Sequence, residues 1–151
     1  MTTENMKIIL VIEDEQALLD AVKIKLEKNN YKVLAVRSVE RAFTTEFKYE
    51  ESGELNLSSV EKALNYLKNL EQVDAIWLDH NLLGDENGLD FVRKFKNNAG
   101  RLSTVPIFVV SNTADPELVK SYNDLGVSKY FVKAEYRLES IIEEIKNFLK
   151  D

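Results

Sequence analysis

The chain has 151 residues with no cysteine and one histidine, and its 26 acidic against 20 basic side chains give a net charge of −6. This length fits one domain (1–151) with a core that needs no cross-links. The missing cysteines exclude disulfides, thiolate metal sites and thiol nucleophiles, and a lone histidine excludes a His-rich zinc centre. The negative charge speaks against nucleic acid or an anionic membrane as the main partner. The first six residues lack the basic region of a secretory signal, and no apolar run reaches the ~20 residues of a membrane span. The expected location is the cytoplasm.

The first apolar run, KIILVI over 7–12, is followed by Glu13, Asp14 and Glu15. Leu18, Leu19, Val22 and Leu26 then form a helical stripe, and YKVLAV over 31–36 is a second strand. The stretch over roughly 38–57 is irregular. It reads as a solvated insertion, with a short helix through Phe43 and Phe47 and a turn at Ser52-Gly53. Val60, Ala63, Leu64 and Leu67 have i, i+3, i+4, i+7 spacing, with Ser58 or Ser59 as cap. DAIWL over 74–78 is a third strand that closes on Asp79, followed by a helix through Leu89, Val92 and Phe95. VPIFVV over 105–110 ends at Ser111. Asp115-Pro116 opens a helix through Leu118, Val119, Tyr122 and Leu125, which Gly126 stops. KYFV over 129–132 ends at Lys133, and Leu138, Ile141, Ile142, Ile145, Phe148 and Leu149 mark a last helix. Strands that are continuously apolar and alternate with helices predict an α/β fold with a doubly wound parallel sheet buried on both faces.

Each strand end carries a polar residue: Glu13 and Asp14, Asp79, Ser111, Lys133. In a parallel sheet these positions share the carboxyl edge, where open α/β folds place ligands. Taken singly, each is an ordinary loop or cap residue. As a set they suit phosphoryl chemistry. Carboxylates without His or Cys favour a hard ion such as Mg²⁺, which neutralises phosphoryl oxygens. A lysine and a hydroxyl bind further phosphoryl oxygens, and one carboxylate serves as nucleophile. Asp79 is the candidate, because it closes the third strand with carboxylates on a neighbouring one if the first and third strands are adjacent.

In this order, KIILVIEDE, DAIWLDHNLLGDENGLDFV, PIFVVSN and KYFVK resemble the receiver domains of two-component response regulators from Lys7 to about Leu149, the insertion excepted. The resemblance implies a flavodoxin-like (βα)5 fold with five strands in the order 2-1-3-4-5, to which this chain adds an insertion between the second and third strands; with the fifth helix running to the end of the chain, no output domain is expected. It implies Asp79 as acceptor of a phosphoryl group from a histidine kinase or histidine phosphotransfer protein. It implies Asp14, Asp79 and the backbone carbonyl of Asn81 as Mg²⁺ ligands, with Glu13 acting directly or through water. Lys133 and Ser111 would hold phosphoryl oxygens. Ser111 and Tyr130 would form the switch that alters the surface of the fourth helix, fifth strand and fifth helix. Output would be contact with a downstream protein or phosphorelay, and a homodimer through the fourth- and fifth-helix face is compatible with the family. The chemistry expected is self-phosphorylation and autodephosphorylation, not turnover of a separate substrate.

Four positions depart from the family pattern: Glu13 for the commoner aspartate, Leu83 for a proline, Asn112 for a small residue, and Ala134 for the proline after Lys133. The Asn112 side chain is expected to crowd the phosphoryl site, and the peptide at Ala134 need not be cis. His80 is expected to be an exposed loop residue, Trp77 a core residue, and Asp85 and Glu86 part of the solvated loop. Three other functions compete. A degenerate receiver would bind partners without phosphorylation. An aspartyl phosphatase usually has a second acid two residues after its nucleophile, where this chain has Asn81. A flavin binder would have a phosphate-cradling loop where this chain has acids.

Overall fold

The computed structural model of the chain describes residues 6–38, 54–57, 73–82, 87–98 and 104–150. The helix through Phe43 and Phe47, the Ser52-Gly53 turn, the helix over 60–67, and Leu83, Asp85 and Glu86 lie outside these residues. The described strands are β1 (Ile8–Ile12), β2 (Lys32–Ser38), β3 (Glu54–Leu57), β4 (Ala75–Leu78), β5 (Ile107–Ser111) and β6 (Lys129–Val132). The described helices are α1 (Gln16–Lys28), α2 (Gly88–Asn98), α3 (Pro116–Asp124) and α4 (Leu138–Leu149), with a 3₁₀ turn at Lys133–Glu135.

All pairings in the sheet are parallel, and the order is β3-β2-β1-β4-β5-β6. The five expected strands are therefore present in the expected 2-1-3-4-5 order. One strand is added at the β2 edge. Ser38 belongs to β2, and the end of the stretch expected to be a solvated insertion, Glu54–Leu57, pairs with Ala35–Ser38. With Leu55 and Leu57 its only apolar residues, ELNL is too short and too polar to stand out as a strand by pattern; the exposed edge of β2 supplies the partner.

Alternate side chains of the five other strands enter opposite cores where they are described, as the period of two dictates. Leu10, Ile12, Leu34, Ile76, Leu78, Ile107 and Val109 pack with Phe91, Val92 and Phe95 of α2 and Tyr122 of α3. Ile9, Val11, Val33, Ala75, Trp77, Phe108, Val110 and Phe131 pack with Leu19, Val22 and Leu26 of α1 and Ile141, Ile142 and Ile145 of α4. Trp77 is thus a core residue, as expected. Burial on both faces explains why these strands are continuous apolar runs. Phe148 keeps more than half of its surface exposed but sets its ring edge-on to Phe108, centroids 5.3 Å apart. Among the described residues, no helix is long and apolar enough to cross a membrane.

Local signals set the helix ends. The Asp115 side chain accepts from the Glu117 amide at 3.2 Å, and Pro116 occupies the first turn, where a missing N–H costs nothing. The same helix ends where Gly126 takes φ +84° and the Val127 amide reaches back to the Tyr122 carbonyl. At α2, Asn87 and Asp90 cap each other: the Asp90 amide donates to Asn87 Oδ1 at 3.1 Å, and the Asn87 amide to Asp90 Oδ2 at 3.0 Å. Gly88 is the first residue of this helix. Asp115→Ala removes the α3 cap and is expected to destabilise the protein by about 1 kcal/mol, read as a lower urea midpoint at unchanged slope.

Candidate functional site

Strand register brings the site together. Ile12 of β1 pairs with Leu78 of β4, and the Asp79 amide extends that ladder by donating to the Ile12 carbonyl at 3.0 Å. Glu13 and Asp79, each one residue beyond its strand, therefore emerge side by side. Ser111 of β5 pairs with Val132 of β6, so Lys133 leaves the sheet next to Ser111 and reaches over it. Its Nζ lies 3.3 Å from Glu13 Oε1 and 3.7 Å from Asp79 Oδ1.

Glu13, Asp14 and Asp79 each present a carboxylate oxygen within 4.8 Å of the others, the spacing of a cation site. The fully buried Glu13 and Ser111 and the 4% exposed Asp79 are the buried polar or charged side chains among the described residues. Glu13 Oε2 accepts from the Glu15 amide at 3.1 Å. Burial, followed by the charge of Asp79, pushes the Glu13 carboxyl from 4.5 up to about 7. Burial also raises Asp79, with Lys133 opposing. The Lys133 ammonium thus faces two desolvated carboxylates, Asp14 adds a third beside them, and the donor set is all oxygen. That composition fits a hard divalent cation and leaves negative charge for it to neutralise.

Asn81 is exposed in the loop two residues beyond Asp79, and Asn112 is exposed next to Ser111. Ser111 Oγ accepts from the Thr113 amide at 3.3 Å. Tyr130 is half-buried and donates its hydroxyl to the Thr113 carbonyl at 2.7 Å. Burial raises the Tyr130 phenol, and the Ser111 hydroxyl beside it pulls the other way. The expected switch pair is therefore in contact through one loop. The described residues contain no cis peptide bond.

His80 departs from the expectation of an exposed loop side chain. Its Nδ1 lies 2.6 Å from the Tyr122 hydroxyl, the two rings meet edge to face, and burial lowers its pKa. The pair was not legible, because 42 residues separate the partners and Tyr122 sits in an apolar stripe that reads as ordinary core. The Asn87/Asp90 cap did leave a signal, an Asn-x-x-Asp spacing ahead of an apolar stripe.

The Glu13 shift gives stability a sign with pH. A carboxyl whose folded pKa exceeds its unfolded value contributes fully below the unfolded value, and that contribution is lost as pH rises through the folded value. In a chelator, the thermal midpoint is expected to fall as pH rises from 4.5 through about 7. Glu13→Gln should flatten that fall; parallel curves for the two proteins would reject Glu13 as its source.

No protein-family model matches the chain, and no curated protein sequence matches it. Solved structures do. A CheY-like response regulator receiver domain protein from Methanospirillum hungatei superposes with TM-score 0.69 at 22% identity, covering 96% of this chain and 94% of that one. A response regulator receiver protein from Pseudomonas putida gives 0.70 at 19%, covering 94% and 97%. The phosphorylated cyanobacterial phytochrome response regulator RcpA gives 0.71 at 22%, covering 95% and 94%. The chain has the flavodoxin-like fold of the CheY-like response regulator receiver domains.

Proposed function

We propose that this protein is a phosphoryl-accepting receiver, with Asp79 as the acceptor. The observation that supports this reading is a nearly buried carboxylate closing a central strand, with two further carboxylates and the Lys133 ammonium converging on it. An Asp79 oxygen attacks the phosphorus of a phosphoimidazole on a histidine kinase or phosphotransfer protein, or of a small acyl phosphate. A P–O bond forms, the donor's P–N or P–O bond breaks, and the donor leaves with the electron pair, so no further reactant is required.

Lys133 opposes the upward push of burial on the Asp79 carboxyl and supplies a point charge to one phosphoryl oxygen. The oxygen donors Asp14, Asp79, the Asn81 carbonyl and Glu13 would hold Mg²⁺. When bound, the ion neutralises charge on the phosphoryl oxygens. Ser111 offers its hydroxyl hydrogen to another phosphoryl oxygen. Drawing Ser111 away from Tyr130 unsettles the Tyr130–Thr113 bond in the loop that leads into α3. The new dianion thereby biases the α3–β6–α4 surface, where a downstream protein would read it. The chemistry is phosphorylation of the protein's own Asp79 and hydrolysis of the resulting acyl phosphate by water to release inorganic phosphate, with no separate substrate turned over.

Incubation with acetyl phosphate and Mg²⁺ should add one phosphoryl group by intact mass, and Asp79→Asn or excess chelator should abolish it. An unmodified wild type would favour a binding module that works without phosphorylation, and turnover of unrelated phosphate esters would favour a phosphatase. Asn112 is exposed and directly follows Ser111, so Asn112→Ala is expected to change the decay rate of the phosphorylated form. Unaltered phosphorylation and decay rates would dismiss crowding by Asn112.

A further inference from the structure

Tyr122 is fully buried, and a buried phenol needs a hydrogen-bond partner. Its partner comes from the loop that carries Asp79: the hydroxyl lies 2.6 Å from Nδ1 of His80, the residue directly after the acceptor. The backbone is shaped around this contact. A Cβ on Gly88 would stand 2.6 Å from the Tyr122 hydroxyl and 2.7 Å from the Asp79 carbonyl, too close for either, so the absence of a side chain there lets α3 reach the loop. The Gly88 amide closes the other side by donating to the His80 carbonyl at 2.9 Å. The Tyr122 ring also packs on Tyr130, centroids 5.6 Å apart, and Tyr130 holds the Thr113 carbonyl. One α3 side chain therefore touches both the residue after the acceptor and the aromatic ring of β6.

We propose that Tyr122 is a positioning residue for Asp79: its hydroxyl, held by His80, fixes the acceptor loop in the geometry that phosphoryl transfer requires and joins that loop mechanically to α3. This rests on the reading of Asp79 as phosphoryl acceptor. The joint reaches Asp79 by a different route from the Ser111–Tyr130 pair, through the loop after β4 and not through the end of β5, although Tyr122 also touches Tyr130. It acts by hydrogen bonding and packing, with no change in protonation. A displacement of the phosphorylated loop moves His80, and Tyr122 passes that movement to α3 because both of its polar and apolar contacts are already made. Conversely, a partner that shifts α3 changes the rate at which Asp79 reacts, as reciprocal coupling between two sites requires.

The full-length chain tests this with Tyr122→Phe, which keeps the ring and removes the hydroxyl. Two quantities are read. The first is the labelling rate of Asp79 by acetyl phosphate at saturating Mg²⁺, well below the thermal midpoint. The second is hydrogen exchange of the Gly88 amide in unphosphorylated protein. Tyr122→Phe should slow labelling about ten-fold and speed Gly88 exchange by a similar factor. His80→Ala should match it, the double variant should be no worse than either single one, and His80→Asn, whose side-chain oxygen can take the place of Nδ1, should recover most of the rate. A Tyr122→Phe protein that labels within about two-fold of wild type with unchanged Gly88 exchange would overturn the proposal while leaving Asp79 as acceptor. A lower midpoint with an unchanged labelling rate would make the hydroxyl structural only and would overturn it equally. If wild type itself takes no phosphoryl group, the acceptor reading fails and positioning for transfer fails with it, while Gly88 exchange still decides whether Tyr122 holds the loop.

Discussion

The site depends on a pairing of two buried strands. Ile12 lies opposite Leu78 in a parallel ladder whose two faces are both covered, so neither strand can slip by a residue without exchanging its core faces. Glu13 and Asp79 must therefore emerge together, with little water around them. Two carboxylates so placed repel, and the sheet gives them no way to move apart. Lys133 answers part of that repulsion from β6, by reaching over the end of β5. The edge of a well-packed sheet thus gathers three carboxylates around a single site, and this makes it receptive to a cation and to chemistry at a carboxylate.

The two faces of the sheet serve the site differently. The α1 and α4 side packs Trp77, Phe108 and Phe131 against aliphatic helix positions. The α2 and α3 side holds a run of specific contacts behind the site: the hydrogen bond of His80 to Tyr122, the ring of Tyr122 against that of Tyr130, and the hydrogen bond of Tyr130 to Thr113. Packed interiors change between discrete arrangements more readily than by gradual deformation. On this second face, side chains hold specific partners that a small movement at the sheet edge can break.

Much of this was readable from residue order. Apolar runs over 7–12, 31–36, 74–78, 105–110 and 129–132 placed the main strands within a few residues, because strands buried on both faces cannot afford polar positions. Asp115-Pro116 and Gly126 marked the ends of α3 through capping and backbone freedom that are local properties. Glu13, Asp14, Asp79, Ser111 and Lys133 were found because a parallel sheet places every strand end on one edge. What escaped notice was non-local. The strand Glu54–Leu57 carries too little pattern to announce itself and is defined by the open edge of β2. His80 looked like a solvated loop residue, and Tyr122 like one more apolar position on a helix.

The sequence by itself determined the alternation of strands and helices, the oxygen-only chemistry of the strand ends and the absence of thiol or multi-histidine sites, since all of these follow from residue type and short-range spacing. Tertiary structure alone decided which strand ends touch, how deeply Glu13 and Asp79 are desolvated, and that Tyr122 reaches the loop that carries Asp79. Those outcomes turn on register, burial and the room left by Gly88, quantities that exist only once distant segments have packed against one another.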